Sequence, residues 1–361
     1  MNEFVEVLIA NTWACNLRCK YCFVQANHVG KMESDMTATQ AVMTMDALDE
    51  SLGDFASAIC LHFYGGEPLL NLDAIEAMVN HAATKKKGRF TFAITTNGTV
   101  LADKVFELLA KGKFSIILSI DGPQHIHDEC RVKANGKPCH VDVLTFLEKV
   151  RTLTSCHVTG SAVVRSGWRL RDATAYIRSL NVHAIKSQAI RAPIGSPYAL
   201  TAEEREVYMQ DLEGVGQGVI ADLEAGRFPM DVRYNSRVLG LLTNHKRENF
   251  CTSGFSTFGI SPSGNVYPCI LVTDSEAALG HISDNPPTWL EKGRQWRNAP
   301  KRPECPSCPT FDRCGGGCPA IIPVCGEDEC EIVRKNDEIA TMIFDHFKDK
   351  KEDLLGLAGI F

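Results

Sequence analysis

Three cysteines near the N-terminus, in Cys15-Asn-Leu-Arg-Cys19-Lys-Tyr-Cys22, have the spacing C-x3-C-x2-C. That spacing delivers three thiolates to one side of a cubane and no fourth. A [4Fe–4S] cluster held this way keeps one iron open for a substrate-like ligand. Zinc is the competing ion, but it normally takes a fourth protein ligand and a compact knuckle. A second group of cysteines crowds the last third of the chain. Cys251 and Cys269 flank Gly264 as C-x12-G-x4-C, Cys305, Cys308, Cys314 and Cys318 follow as C-x2-C-x5-C-x3-C, and Cys325 and Cys330 come last. Taken alone, the run from Cys305 to Cys318 fits a zinc ribbon as well as a cluster. Beside the triad and the separate Cys251/Cys269 pair it reads as cluster ligation. Gly315-Gly316-Gly317 can wrap closely around a cluster and offer N–H groups to its sulfides, which would raise its reduction potential. Cys60, Cys130, Cys139 and Cys156 fall outside both patterns and read as buried thiols.

The composition agrees with a redox protein of the cell interior. Fifteen cysteines in 361 residues exceed ordinary core use, while 44% hydrophobic content builds a large core without disulfide staples. An odd count also fits complete pairing badly. No basic and apolar leader opens the chain and no apolar run reaches spanning length, so the cytoplasm is the expected compartment. A net charge of −6 with no long basic run gives no electrostatic reason for a nucleic-acid partner.

The elements that must position these residues alternate regularly. Val5–Ala10, Ala58–Tyr64, Phe90–Thr95, Ser115–Ile120, His157–Val164 and Ala184–Ile190 read as strands, with helices over about 37–52, 72–87, 102–111, 140–153 and 169–180. Such alternation predicts parallel strands joined by right-handed crossovers. Thr201 and Glu204 have capping-box spacing at the start of a long polar helix over about 201–226. After strand two comes Tyr64-Gly65-Gly66-Glu67-Pro68, where the glycines permit close backbone approach and Glu67 offers an acceptor. Thr95-Thr96-Asn97-Gly98-Thr99 follows strand three and Ser119-Ile120-Asp121-Gly122-Pro123 follows strand four, at the strand ends where such folds assemble ligand sites. Asn97-Gly98 and Asp121-Gly122-Pro123 also suit plain tight turns.

The triad after a first strand resembles the signature of the radical S-adenosylmethionine (SAM) superfamily. The resemblance implies that the open iron chelates SAM and that reductive cleavage gives a 5′-deoxyadenosyl radical. The Tyr64–Pro68 segment resembles the family's GGEP motif, whose backbone binds the SAM ammonium group, and the family pattern places Asn97 and Ser119 near the SAM ribose or carboxylate. Tyr64, Gly65, Gly66, Glu67, Asn97 and Ser119 are therefore the expected SAM-binding set. His127-Asp128 with Arg131 extends the likeness to an HDxxR element, which reads equally as loop anchoring by an ion pair. The fold implied is α/β, a partial (β/α)6 barrel over residues 1–200, then a helical connector over 201–250.

Residues 251–335 resemble the SPASM domain, which carries two auxiliary [4Fe–4S] clusters in radical SAM peptide maturases, and a C-terminal helix is expected over 336–361. By that resemblance Cys251, Cys269 and Cys318 belong to the first auxiliary cluster, and Cys305, Cys308, Cys314 and Cys330 to the second. Cys325 completes the first, replaces Cys330, or is a free thiol. Three clusters and SAM are thus the expected cofactors. The implied activity is oxidative modification of a side chain in a ribosomally made precursor peptide, giving a cyclophane, ether or thioether crosslink. Anaerobic sulfatase maturases are the alternative, but their motif has an aspartate directly after the second SPASM cysteine, where this chain has Ile270-Leu271-Val272. No catalytic base is identified; Asp274, Glu67 and Tyr64 are the options. A flavodoxin or ferredoxin is the expected electron donor. With little chain before Val5 for a leader-recognition domain, either a groove in these two domains or a separate leader-binding protein is expected to recognise the leader of a precursor peptide. A non-catalytic electron carrier is a further alternative, although a carrier needs neither an open-site triad nor a Gly65-Gly66-Glu67 loop.

Overall fold

Alternate residues of the first strand decide which way the sheet faces. In β1 (Glu3–Ala10), Val5, Val7 and Ile9 are completely buried, while Glu6 and Leu8 between them remain partly accessible on the other face. The computed structural model describes residues 3–22, 33–53, 55–86, 89–193, 195–284, 287–298, 301–325, 327–350 and 354. Two compact units divide the chain: residues 1–119, 127–158 and 252–299 form the first, and 120–126, 159–251 and 300–361 the second.

The first unit is built from α1 (Ala38–Leu52), β2 (Ala56–Tyr64), α2 (Leu72–Ala82), β3 (Phe90–Thr96), α3 (Asp103–Gly112) and β4 (Ser115–Ser119) in succession. Parallel pairing runs β1 to β2, β2 to β3 and β3 to β4, with Ala10 opposite Tyr64 and Thr96 opposite Leu118. The expected strands and helices are present here, with α2 ending at Ala82 rather than running to 87, a position outside the described residues. Thr37 and Gln40 close a capping box at the start of α1, with bonds of 3.2 and 2.8 Å. A short helix, α4 (Gln124–Cys130), carries His127 and Asp128, and the chain then turns into α5 (His140–Leu153).

Past a strand β5 (His157–Ser161), the fifth expected strand is interrupted. The Asp121 carboxylate takes the N–H of Val163 at 3.0 Å, so Val163–Val164 stands apart as β6. The sixth expected strand divides in the same way. After α6 (Leu170–Ser179), β7 (Ala184–Ile185) pairs with β5, while β8 (Gln188–Ala189) pairs with β6. Next comes α7 (Ala202–Glu224), and its capping box joins Thr201 to Glu204 at 3.2 and 2.9 Å, as the sequence predicts. A shorter helix follows, α8 (Asn235–Leu242).

Residues 252–299 return to the first unit. Here β9 (Thr257–Ile260) lies parallel to β1, pairing Glu6 with Thr257 and Ile9 with Ile260, and β10 (Asn265–Tyr267) and β11 (Gly280–His281) add antiparallel strands outside it. The order in this unit is therefore β11-β10-β9-β1-β2-β3-β4. Residues of β9 lack the long alternation that marks the earlier strands, so the sequence gives no sign of them. Packing of Phe258 edge-on against the buried Trp289 of α9 (Thr288–Arg297), with ring centroids 5.0 Å apart, holds this extension down. The second unit ends in α10 (Phe311–Cys314), α11 (Ile322–Cys325) and α12 (Glu327–His346). Gly216 of α7 lets α12 approach, since a Cβ there would fall 2.4 Å from Ile339 Cγ2. The expected helix over 336–361 thus starts earlier; residues 351–353 and 355–361 lie outside the described residues.

Candidate functional site

The loop carrying Cys15, Cys19 and Cys22 leaves β1 at Ala10 and runs directly against the Gly65–Glu67 segment that leaves β2. The Gly66 N–H donates to Thr12 O at 3.1 Å and the Glu67 N–H to Ala14 O at 2.8 Å. A Cβ on Gly66 would stand 2.0 Å from Ala14 O, and Gly65 has a φ of +133°. Both glycines are therefore required by the approach of the triad loop itself. Asn11 fixes the start of that loop by donating to Pro68 O and Asn71 O, each at 3.0 Å.

Glu67 lies wholly inside. Its Oε1 accepts from Thr96 Oγ1 at 2.8 Å and Leu69 N at 3.2 Å, while Oε2 accepts the Asn97 N–H at 2.7 Å. Burial raises its carboxyl to about 7, against the opposing pull of those three donors. Asn97 in turn holds Asn16 Oδ1 through Nδ2 at 2.9 Å, and the same nitrogen is 3.8 Å from Cys15 Sγ. Asn97 Oδ1 accepts from Thr99 N and Oγ1 at 3.0 and 2.7 Å. The loops after β1, β2 and β3 are thus one hydrogen-bonded assembly. Tyr64 and Ser119, both half-buried, end β2 and β4 at the same end of the parallel strands.

Three thiols on one loop are the donor set a three-thiolate cluster takes, and the structure supplies the bonds that stabilise thiolate charge. The Leu17 N–H is aimed at Cys15 Sγ at 3.4 Å. Burial, followed at some distance by Glu67 and Cys22, pushes the free Cys15 thiol upward. Metal binding is what would deprotonate it.

The partly accessible sheet face carries a polar row that the sequence reading did not single out. His62 Nδ1 meets Glu6 Oε1 at 2.8 Å and its Nε2 meets Thr95 Oγ1 at 2.8 Å. Tyr64 stands edge-on to His62 at 6.1 Å. The signal was present as polar residues at alternate strand positions, but their pairing depends on register. Of the options for a base, Glu67 is committed to the three internal donors, Tyr64 borders the row, and Asp274 lies beyond Cys269. Cys60, on the same face, is raised to about 11 by burial and by Glu6.

The later cysteines fall in both units. Cys269 belongs to the first, where the N–H of Leu271 points at its Sγ at 3.5 Å. Ile270 is buried, and its backbone N would lie 2.6 Å from a Cβ on Gly259. In the second unit burial pushes the Cys318 thiol up and Cys251 adds to that, while the backbone of Ala320 and Ile321 and the charge of Arg191 oppose it. Burial likewise pushes the Cys314 thiol up and Cys330 adds to that, while the backbone of Gly316 and Gly317 opposes it. Gly315 is pressed against Asn249, whose carbonyl carbon would be 2.3 Å from a Cβ. Arg302 Nη2 lies 2.6 Å from Cys330 Sγ, and Arg302 is also affected by Cys305. Cys308 N donates to Cys305 O at 3.0 Å, and its thiol is lowered by Thr310 and then by Arg334. Cys325 is buried on α11, where its Sγ lies 3.6 Å from Ala192 O.

The HDxxR element anchors its loop through Asp128, whose Oδ1 accepts the N–H groups of Cys139 and His140 at 2.8 and 2.9 Å and so caps α5. Arg131 places its guanidinium over the Tyr21 ring, 5.4 Å from the centroid.

Comparison with known proteins agrees with this arrangement. Residues 12–173 match the Radical SAM superfamily. A cysteine-type anaerobic sulfatase-maturating enzyme of Clostridium novyi is 24% identical over 328 residues, covering 84% of each chain. The mycofactocin maturase of Mycolicibacterium smegmatis is 26% identical over 338 residues, 88% of this chain and 80% of that one. Among solved structures, native anSMEcpe with bound AdoMet and Cp18Cys peptide superposes with a TM-score of 0.80 at 20% identity, covering 96% of this chain and 99% of that one. The fold is that of the radical SAM maturases, a mixed α/β fold with a parallel sheet. With the triad at the strand ends, the chain carries a Radical SAM domain over residues 12–173 and is similar over most of its length to an anaerobic sulfatase-maturating enzyme and a mycofactocin maturase.

Proposed function

We propose that this enzyme oxidatively crosslinks a side chain of a ribosomally synthesised precursor peptide, forming a cyclophane, ether or thioether bond. The observation that carries the reading is Ile270, buried directly after Cys269, where a sulfatase maturase would place its proton-accepting aspartate. With no carboxylate there, formylglycine chemistry lacks its base. When bound, the triad cluster with SAM supplies a radical able to take hydrogen from unactivated carbon, and auxiliary clusters supply electron acceptors. Cys15, Cys19 and Cys22 would hold the first cluster. Cys251, Cys269 and Cys318, with Cys325 as fourth ligand, would hold one auxiliary cluster, and Cys305, Cys308, Cys314 and Cys330 the other. The interaction of Cys318 with Cys251 and of Cys314 with Cys330 supports that partition. Gly65, Gly66 and Asn97 would shape the SAM site with Tyr64 and Ser119, while Glu67 holds the loops in register. An external donor such as flavodoxin or ferredoxin, a separate leader-binding protein and a cytoplasmic setting complete the proposal.

Formylglycine formation is the second reading, favoured by the match to a sulfatase-maturating enzyme over 84% of both chains. The experiment incubates reduced enzyme and SAM with a sulfatase-type Cys or Ser peptide, beside a co-encoded precursor peptide. Tandem mass spectrometry maps the products. A precursor product two mass units lighter per bond, resisting fragmentation between two residues, is the expected result. Efficient aldehyde formation in the sulfatase peptide would overturn it.

A further inference from the structure

Two residues set aside as an anchoring motif and a buried thiol meet in the first unit. His127 Nε2 lies 3.4 Å from Cys139 Sγ, and both side chains are buried. Asp128, adjacent to His127, uses Oδ1 to cap α5, but its Oδ2 is buried with no hydrogen-bond partner. A nitrogen, a sulfur and an oxygen donor, one from each residue, all lie within 4.8 Å of one another. A buried carboxylate oxygen left without a donor is costly unless a cation meets it.

The nitrogen–sulfur distance suits one ion in particular. Zinc binds imidazole nitrogen at about 2.0–2.1 Å and thiolate at about 2.3 Å, and with those bond lengths a nitrogen–sulfur separation of 3.4 Å corresponds to an angle of about 100°, near tetrahedral. Imidazole, thiolate and carboxylate together are zinc donors, whereas magnesium and calcium take oxygen. The Arg131 carbonyl, 3.2 Å from the same sulfur, lies beside the donor set.

We propose that His127, Asp128 and Cys139 form a zinc site, separate from all the cluster cysteines, that pins residues 130–138 against the triad loop. Binding displaces the Cys139 thiol proton to solvent and forms one zinc–sulfur bond, with no change of oxidation state. What the ion would fix is evident in the backbone. Arg18 N–H donates to Val132 O at 2.7 Å, Lys20 N–H to Cys130 O at 3.0 Å, and Ala134 N–H to Asn16 O at 2.9 Å. The segment from α4 to α5 is thus the backbone partner of the loop that bears Cys15 and Cys19. Zinc at its base closes it from both ends.

The test uses the anaerobically reconstituted holoenzyme, incubated with zinc chloride and desalted, with zinc and iron measured together by mass spectrometry. One zinc per chain beside the cluster iron is expected, with zinc K-edge absorption showing a single sulfur neighbour and low-Z ligands. In Cys139→Ala and in His127→Gln zinc should fall at least about tenfold. Absorption on the unmodified enzyme keeps the test independent of whether the variants fold. Absence of zinc, meaning a hydrogen-bonded thiol only, overturns the proposal. So does zinc that survives both substitutions, or an all-sulfur environment, since either places the ion in an empty cluster site.

Discussion

The Glu67 carboxylate accepts the backbone N–H of Asn97 at 2.7 Å, and the Asn97 side chain reaches to within 3.8 Å of Cys15 Sγ. One buried side chain on the loop after β2 thereby sets the position of the loop after β3, which in turn abuts a triad cysteine on the loop after β1. Three separate connections share one reference point, and disturbing it is expected to disturb all three.

Glu67→Gln tests that relationship through pH. Burial lifts the carboxyl from 4.5 to about 7, so the folded protein holds this proton more tightly than the unfolded chain does. The stabilisation is complete below about pH 4.5 and is lost as pH rises through about 7. Gln cannot titrate, and its amide group would face the Asn97 N–H, costing about 1–3 kcal/mol. Anaerobic thermal melts should show the native enzyme's advantage over the variant narrowing as pH rises through that window. An advantage that widens instead would place the charged form as the preferred one.

Gly66→Ala should remove the triad cluster while sparing the others. Its methyl group would stand 2.0 Å from Ala14 O, a backbone atom next to Cys15. Iron in reconstituted protein should drop from about twelve to about eight per chain, with SAM cleavage abolished. Replacing Cys15, Cys19 and Cys22 together should give the same count. Retention of 5′-deoxyadenosine production by the triple variant would reject the assignment of the triad.

Cys330→Ala and Cys325→Ala should differ in their spectra. Cys330 interacts with Cys314 and lies beside Arg302, whereas Cys325 sits on α11 against Ala192. The first variant should alter the auxiliary cluster assigned to Cys305, Cys308 and Cys314, the second only the other. Electron paramagnetic resonance of the reduced variants reads this directly, and the reverse pattern would exchange the two ligands.

Arg302→Gln should lower the reduction potential of that same cluster by tens of millivolts, because a permanent positive charge beside a sulfur ligand favours the more negative, reduced state. Arg302 Nη2 is 2.6 Å from Cys330 Sγ. Redox titration followed by resonance measures the shift; an unchanged or raised potential contradicts the electrostatic account.

The alternation of Val5, Val7 and Ile9 with Glu6 and Leu8 made β1 legible, and the equivalent patterns revealed β2, β3 and β4 with the helices between them. Local chemistry, such as Thr201 with Glu204, also read correctly. Contacts distant in sequence did not. The Gly65-Gly66 pair was visible, but that the triad loop occupies the space beside it is a property of the folded chain. Glu67 read as an acceptor of no set direction, because sequence carries no direction for a side chain, and its inward bonds to Thr96 and Asn97 come from the parallel register of β2 and β3. His62 with Glu6, and His127 with Cys139, were hidden for the same reason. The strands β6 and β8 were merged with their neighbours because Asp121 interrupts the ladder from outside it.

The parallel pairing of β9 with β1 bears on how the protein is made. One edge of β1 is covered by β2, but its other partner, Thr257–Ile260, is translated some 250 residues later. Until then that edge offers unpaired N–H and C=O groups to any neighbouring chain. Such delayed long-range pairing slows folding and lengthens the exposure of nascent protein to aggregation. A fragment ending before Thr257 would keep the whole triad yet carry this bare edge permanently, so expression of that fragment alone should yield insoluble material.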